Sequence, residues 1–220
     1  MRSIQTLVRR LLPLAAAFLA ATALVGGASA QQLVEGKHFV RIKNPPPVQP
    51  GKKIEVIEFF SYGCPHCADL EPVMQAWAKT MPADVQLVRV PVMFQDRWVV
   101  LAKIFYTFEG LGVEPRMTAE AFTAIHKNNV NLTSEKAFFD WAASKGLDRK
   151  KVEDMYNSFA VAGKMNKARS EAQKYNVQSV PMIVVDGKFV TATDKVGTHA
   201  ALPPAIDALI AKARAERPKS

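Results

Sequence analysis

The sequence predicts an α/β fold in which an all-helical segment interrupts a domain built on a β-sheet. Three observations support this prediction. A strand–helix–strand pattern occupies residues 54–92, an apolar hairpin pattern occupies residues 182–191, and about 70 residues between them have helical periodicity. The two outer segments therefore form one discontinuous sheet domain, and the helical segment is inserted between them.

The first 30 residues predict a cleaved signal peptide. A basic start with Arg2, Arg9 and Arg10 precedes an apolar run at 11–25 and a small-residue ending at 26–30. Secretory signals have this order of parts. A membrane anchor is the alternative, but the run is shorter than the about 20 apolar residues that span a bilayer. We therefore expect export, and a location in the periplasm.

The chain is basic, with 29 Lys and Arg against 20 Asp and Glu. Loss of the signal peptide would reduce the net charge from +9 to +6. Aromatic residues are not interleaved with a basic cluster, so a solvated basic surface is favoured over nucleic-acid binding. No pattern indicates a cofactor or an oligomer interface, and we expect a monomer without a cofactor.

The first part of the sheet domain is predicted at residues 31–94. It contains strands at 38–42, 54–60 and 85–92 and a helix at about 65–80. The stretch 54–60 is apolar on both pleat faces apart from its acids, which favours a central strand. The helix follows from apolar residues at three- and four-residue spacing, namely Leu70, Val73, Met74 and Trp77.

The inserted helical domain is predicted at residues 95–168. Its helices are expected at 98–109, after Thr118 as N-cap, at 134–145, and from Asp148 toward Tyr175 with a break near Gly163. The sheet domain resumes at 169–220. There, Asp186-Gly187 between two apolar runs indicates a hairpin, and a helix at about 204–214 follows it.

The two cysteines, Cys64 and Cys67, lie in the segment Cys64-Pro65-His66-Cys67 between a predicted strand and a predicted helix. Backbone N–H groups at a helix start stabilise a thiolate and lower its pKa. His66 can add a hydrogen bond or positive charge. Cys67 lies one turn further on, within disulfide reach. Cys64 is therefore the expected exposed nucleophile and Cys67 its more buried partner.

A stabilised Cys64 thiolate favours the reduced form of the pair, so its disulfide would accept electrons readily. Two alternatives compete with redox chemistry. A structural disulfide is disfavoured because so short a loop removes little unfolded-chain entropy. A metal site is disfavoured because four ligands are usual and His38, His126 and His199 are scattered.

Two further residues are candidates for the site. Glu58 lies on the strand leading into the motif among apolar neighbours, where burial would raise its pKa and let it exchange protons with Cys67. The alternative is an acid at a strand edge facing water. Pro181, after Val180, begins a strand, and the ordinary interpretation is a trans proline that ends a loop.

The run from Glu58 to Cys67, Glu-Phe-Phe-Ser-Tyr-Gly-Cys-Pro-His-Cys, resembles the active-site segment of the thioredoxin superfamily and, within it, of the DsbA oxidases. Val180-Pro181 falls where that superfamily has its cis-proline loop. The helical block falls where the family inserts a helical domain. The resemblance covers essentially the whole mature chain, and it implies a thioredoxin-like fold with an inserted all-helical domain.

The resemblance also implies roles for single residues. Cys64 and Cys67 would form the redox-active disulfide, with Pro65 and His66 as the usual dipeptide between them. Val180 and Pro181, which is implied to be cis, would bind substrate backbone. Glu58 would be the buried acid, with Glu71 and Arg89 as a charged pair near it. Independently of the resemblance, Met182 is a candidate for contact with substrate because it lies next to Pro181, whereas most other methionines are expected to fill the core.

The implied reaction donates the disulfide to unfolded exported proteins. A membrane quinone-linked partner of the DsbB type would then reoxidise the pair. A reductase shares the fold and is the main rival, although the Pro-His dipeptide favours an oxidant. An isomerase is disfavoured because periplasmic isomerases carry an added dimerisation domain, and too few residues precede the first full strand to form one. A non-catalytic peptide-binding module and a metal carrier remain as different classes of function.

Overall fold

The structure is a computed structural model that describes residues 32–45 and 52–217. The predicted signal peptide at 1–30 lies outside these residues. From Leu33 onward the described residues pack as one unit. Within the described ranges, no helix combines the length and apolar character that crossing a membrane requires.

Five strands form one sheet. They are β1 (Val40–Arg41), β2 (Ile54–Phe60), β3 (Val85–Pro91), β4 (Met182–Val185) and β5 (Phe189–Thr191). The strand order is β1-β5-β4-β2-β3, in which β2 and β3 are parallel and the other pairs are antiparallel. Strand β2 is therefore central, as its two-sided apolar pattern predicted, and its bounds are those expected from the sequence.

Eight α-helices belong to the described residues. They are α1 (Pro65–Ala78), α2 (Asp96–Gly110), α3 (Glu114–His126), α4 (Glu135–Ser144), α5 (Arg149–Tyr156), α6 (Phe159–Lys174), α7 (Thr193–Val196) and α8 (Leu202–Glu216), with a 3-10 turn at His199–Ala201 before the last. The predicted insert boundaries at 95 and 168 stay predictions, and the second falls inside α6.

The sheet separates two apolar cores. Alternate residues of β2 point to opposite faces, so that Val56 packs with α1 and α8 while Ile57 packs with the helices of the insert. Val184 and Val185 on β4 divide between the two cores in the same way. Each fully buried aliphatic side chain of this kind contributes about 1.5–3 kcal/mol, and the two cores together fix the end of β2 from which the cysteine motif emerges.

Two predictions within the helical segment are wrong. Thr118 does not cap a helix but is buried inside α3, which begins at Glu114. The break expected near Gly163 lies instead at Asn157–Ser158, where the Ser158 hydroxyl accepts a hydrogen bond from the Val161 N–H and starts α6. A side-chain cap satisfies a free N–H at a helix start, whereas a single Gly inside a helix does not have to end it.

Candidate active site

Cys64 is the N-cap of α1, and Pro65 occupies the first turn. The Cys64 N–H donates to the Ser61 carbonyl at 3.0 Å, which closes a turn between β2 and the helix. The Cys64 carbonyl accepts the first helical bond from the Cys67 N–H at 3.1 Å. Cys64 therefore lies at the helix N-terminus, where free backbone N–H groups concentrate positive charge.

Both cysteines are free thiols and both are buried. Cys64 keeps 6% of its surface exposed and Cys67 keeps 1%. The predicted order of exposure is therefore confirmed, but the expectation that Cys64 is an exposed nucleophile is too strong. Only a small part of Cys64 is therefore accessible to a substrate thiol.

The surroundings of the two thiols separate their pKa values. A hydrogen bond from the Cys67 thiol lowers the pKa of Cys64 most, burial opposes it, and the backbone N–H groups of Cys67 and His66 with the charge of His66 lower it further, to about 6. Burial raises the pKa of Cys67, and the neighbouring Cys64 raises it again. The pair therefore holds one thiolate on Cys64 and one proton on Cys67 near neutral pH.

The Val180–Pro181 peptide bond is cis, as the resemblance implied. Cys64 Sγ lies 3.6 Å from the Val180 carbonyl oxygen, so this loop lies directly against the nucleophile. Met182 follows as the half-buried first residue of β4 and pairs with Phe59 of β2. The sheet pairing thus brings together two segments that are more than 110 residues apart in the sequence.

Glu58 is buried, with 2% of its surface exposed, on the central strand β2. The alternative of an acid facing water at a strand edge is therefore wrong. Arg89, its partner in the β2–β3 register, lies with Nε 3.1 Å from Glu58 Oε2. The N–H of that contact is not aligned with the oxygen, and Glu58 Oε2 has no hydrogen-bond partner among the described residues.

Arg89 also forms ion pairs with two further carboxylates, those of Glu71 and Glu114. Its Nη2 lies 2.8 Å from Glu71 Oε2, and its Nη1 lies 3.4 Å from Glu114 Oε1. Burial raises the pKa of Glu58 and raises that of Glu71 to about 7, although Arg89 opposes both shifts. Burial would lower the pKa of Arg89, but the three carboxylates hold it above its ordinary value. One cation thus faces the two buried carboxylates of Glu58 and Glu71, whose protonated forms are favoured by burial.

Four residues of this region were missed as site residues by the sequence analysis. Glu114 and Thr118 come from α3, and the Thr118 hydroxyl donates to Glu114 Oε1 at 2.9 Å. Tyr62 contacts Thr118 through its own hydroxyl, also at 2.9 Å. His126 was considered only as a metal ligand, but its Nε2 lies 2.7 Å from the Tyr62 carbonyl. These contacts join segments that only the folded chain brings together.

Comparison with known proteins decides the family. A family described as a DSBA-like thioredoxin domain matches residues 84–201. Curated DsbA of Pseudomonas aeruginosa is 40% identical over 204 residues, covering 92% of this chain and 97% of that protein. DsbA of Bordetella parapertussis is 39% identical over 202 residues, covering 91% and 95%. The chain belongs to the DsbA family.

Solved structures of DsbA proteins agree with this assignment. The crystal structure of Pseudomonas aeruginosa DsbA matches with a TM-score of 0.79 at 40% identity, over 83% of this chain and 95% of that one. The oxidoreductase NmDsbA1 of Neisseria meningitidis matches with a TM-score of 0.74 at 28% identity, over 84% and 95%. The resemblance and the thioredoxin-like α/β fold with its helical insert are therefore confirmed. The protein is a thiol:disulfide oxidoreductase of the DsbA type.

Proposed function

We propose that this protein oxidises newly exported proteins by donating its Cys64–Cys67 disulfide to them. The observation that carries the proposal is the position of Cys64 as N-cap of α1, with its pKa lowered to about 6. A thiolate stabilised in this way makes the reduced form more stable, and the disulfide a stronger oxidant. The reverse direction, reduction of substrates, would need a weaker stabilisation of that thiolate.

The reaction proceeds by two exchanges. A substrate thiolate attacks Cys64 Sγ, the Cys64–Cys67 bond breaks, and Cys67 leaves as a thiolate that takes up a proton. A second substrate thiolate then attacks the substrate sulfur of the mixed disulfide, and Cys64 leaves as a thiolate. The substrate loses two electrons and forms its disulfide, while the enzyme gains them. A leaving thiol of low pKa departs faster, so the second exchange benefits from the surroundings of Cys64.

Glu58 is the proposed proton acceptor and donor for Cys67. Its burial, the lack of an aligned hydrogen-bond donor to its Oε2 among the described residues, and the electrostatic effect by which it raises the pKa of Cys67 support this role. Glu58→Gln is expected to slow proton transfer at Cys67, and with it the exchange steps, by up to about 100-fold. Glu55→Gln, on the same strand but half-exposed, is the matched control and should react like the wild type.

Substrate is proposed to bind along Val180 and Pro181. The Val180 carbonyl lies against Cys64 Sγ, and in the oxidised protein, where Cys64 carries no proton, it is free to accept from a substrate N–H. Met182 is proposed to touch the substrate side chain beside the reacting cysteine. A thioether on a flexible stem suits varied apolar side chains, as an enzyme acting on many unfolded proteins requires.

Export to the periplasm and reoxidation by a membrane quinone-linked partner of the DsbB type complete the proposal. The basic, apolar and small-residue order of residues 1–30 supports export. The relatives of this chain are thiol:disulfide interchange proteins. This supports the proposal that its substrates are the thiols of unfolded proteins. The protein is proposed to act as a monomer without a cofactor.

The test uses the oxidised mature protein and a reduced, unfolded substrate protein with two cysteines. We expect one substrate disulfide for each enzyme molecule reduced, and no transfer by Cys64→Ser. Cys64→Ser should also fail to restore disulfide formation in a bacterial strain that lacks its periplasmic oxidase. Restoration by that variant would instead indicate a peptide-binding module, and metal bound stoichiometrically by the reduced protein would indicate a metal carrier.

A further inference from the structure

Tyr62, two residues before the nucleophile, is held at three points by one helix of the insert. Its hydroxyl lies 2.9 Å from Thr118 Oγ1. Its ring meets the Phe122 ring edge-to-face, with centroids 5.1 Å apart and planes at 85°. Its carbonyl oxygen lies 2.7 Å from His126 Nε2. Only 1% of Tyr62 is exposed, and the half-buried His126 reaches its carbonyl from the edge of this buried region.

The three contacts follow from the spacing of residues on α3. Thr118, Phe122 and His126 are four residues apart, and side chains at this spacing lie on the same face of a helix. The same helix packs against α1, the helix that carries the cysteines. One face of α3 therefore contacts the side chain and the backbone of Tyr62 together.

The contact of His126 has a defined direction. A carbonyl oxygen only accepts hydrogen bonds, so Nε2 of His126 carries the proton in this contact. The imidazole also stacks on Phe122, with centroids 6.1 Å apart and planes at 30°, which holds the ring toward Tyr62. Packing against Phe122 therefore holds the His126 ring in the orientation that makes the 2.7 Å hydrogen bond.

The Tyr62 carbonyl belongs to the turn that presents Cys64. Tyr62 and Gly63 are the two central residues of the turn closed by the Cys64 N–H and the Ser61 carbonyl. The Gly63 N–H donates to Ser61 Oγ at 3.1 Å. The Tyr62 carbonyl is part of the peptide group that joins Tyr62 to Gly63. A hydrogen bond from His126 to this carbonyl therefore restricts rotation of that peptide group, and with it the orientation of Cys64.

We propose that His126 is a positioning residue of this oxidoreductase, which holds the Tyr62 carbonyl and so fixes Cys64 over the N-terminus of α1. The helical insert thereby controls the reactivity of a cysteine that belongs to the sheet domain. The inference rests on the proposed function only in taking Cys64 as the nucleophile. It does not depend on whether the enzyme oxidises or reduces its substrates.

The test compares variants of the reduced mature protein. His126→Leu removes the donor at similar volume, and His126→Gln offers an amide N–H at a similar reach. The measurements are the acid dissociation constant of the Cys64 thiol, read from the pH dependence of its alkylation by iodoacetamide, and the equilibrium constant of the Cys64–Cys67 pair with glutathione. Lys127→Leu, at the exposed next residue, is the matched control.

His126→Leu is expected to lower the acid dissociation constant of the Cys64 thiol by about threefold to tenfold, the factor that corresponds to a typical net hydrogen bond, and to make the disulfide a weaker oxidant by a similar factor. His126→Gln and Lys127→Leu should stay within about twofold of the wild type, well inside that effect. If His126→Leu lowers the thermal stability but leaves both measurements unchanged, His126 is only structural and the proposal is overturned.

If His126→Leu does not fold, His126→Asn replaces it in the comparison, because its amide is too short to reach the same carbonyl. An acid dissociation constant of Cys64 in His126→Asn equal to that in His126→Gln would then overturn the proposal.

Discussion

Raising the pH from 6 to 8 is expected to stabilise the reduced protein against unfolding, relative to the oxidised protein, by about 2 kcal/mol. The reason lies in Cys64, whose pKa is lowered from 9.0 to about 6 in the folded protein. Because the folded pKa is the lower one, the stabilisation is fully present above the unfolded pKa and is lost as the pH falls through the folded pKa. Between these values each pH unit contributes about 1.4 kcal/mol.

The assay is urea unfolding of both redox forms at pH 6, 7 and 8. The oxidised protein has no thiol to titrate, so carboxylates that ionise equally in both forms cancel in the difference between them. Reduced Cys64→Ser should lose the dependence. A difference that stays constant, or that shrinks as the pH rises, would refute the account of a stabilised thiolate at the start of α1.

Three other substitutions test the surroundings of the site. The pKa of Glu71 is raised from 4.5 to about 7 in the folded protein. The stability that this shift provides is fully present below pH 4.5 and is lost as the pH rises through about 7, at about 1.4 kcal/mol per pH unit. Glu71→Gln should abolish this loss, which urea unfolding measures. Gly63→Ala would place a Cβ 2.4 Å from Trp98 Nε1 and should lower the free energy of unfolding by about 1–3 kcal/mol. Gly163→Ala, where nothing lies within 4 Å, should instead raise it by about 0.5–1 kcal/mol, and a loss there would contradict the helical description of α6.

Local patterns predicted the sheet well. Strand β2 was recognised because its residues are apolar on both faces, and the hairpin because Asp186 and Gly187 suit a two-residue turn. Both residues have positive φ, 54° and 65°, as the tight turn requires. Such features depend on neighbours in the sequence, and therefore can be read without the fold.

Helix ends within the insert were predicted less well because several residues compete for each end. Thr118 has the character of an N-cap. However, Gly112, with a φ of 69°, ends α2, and Pro115 in the first turn of α3 places the start of that helix before Thr118. Ser158 offers a capping hydroxyl close to Gly163 and takes the start of α6. Propensity alone does not decide between such neighbouring candidates.

The active site was predictable where one segment or a family pattern contains it. Cys64, Cys67 and Glu58 lie within ten residues of one another, and Arg89 faces Glu58 through strand register. Glu114 and the residues of α3 that hold Tyr62 reach the site only through packing of the insert against α1. Their four-residue spacing marks one face of α3 but not the partner of that face, because a buried polar residue on an amphipathic helix has the same pattern whichever partner it meets.

The most direct test of the central claim is the equilibrium reduction potential of the Cys64–Cys67 pair, measured at pH 7 in glutathione buffers by thiol trapping. The account predicts a value well above the glutathione couple, toward the roughly −120 mV known for DsbA itself, which is a family value and not one calculated from this structure. A value near that of thioredoxin, about −270 mV, would contradict the account. The fold and the cysteine pair would stand, and the enzyme would be a reductase.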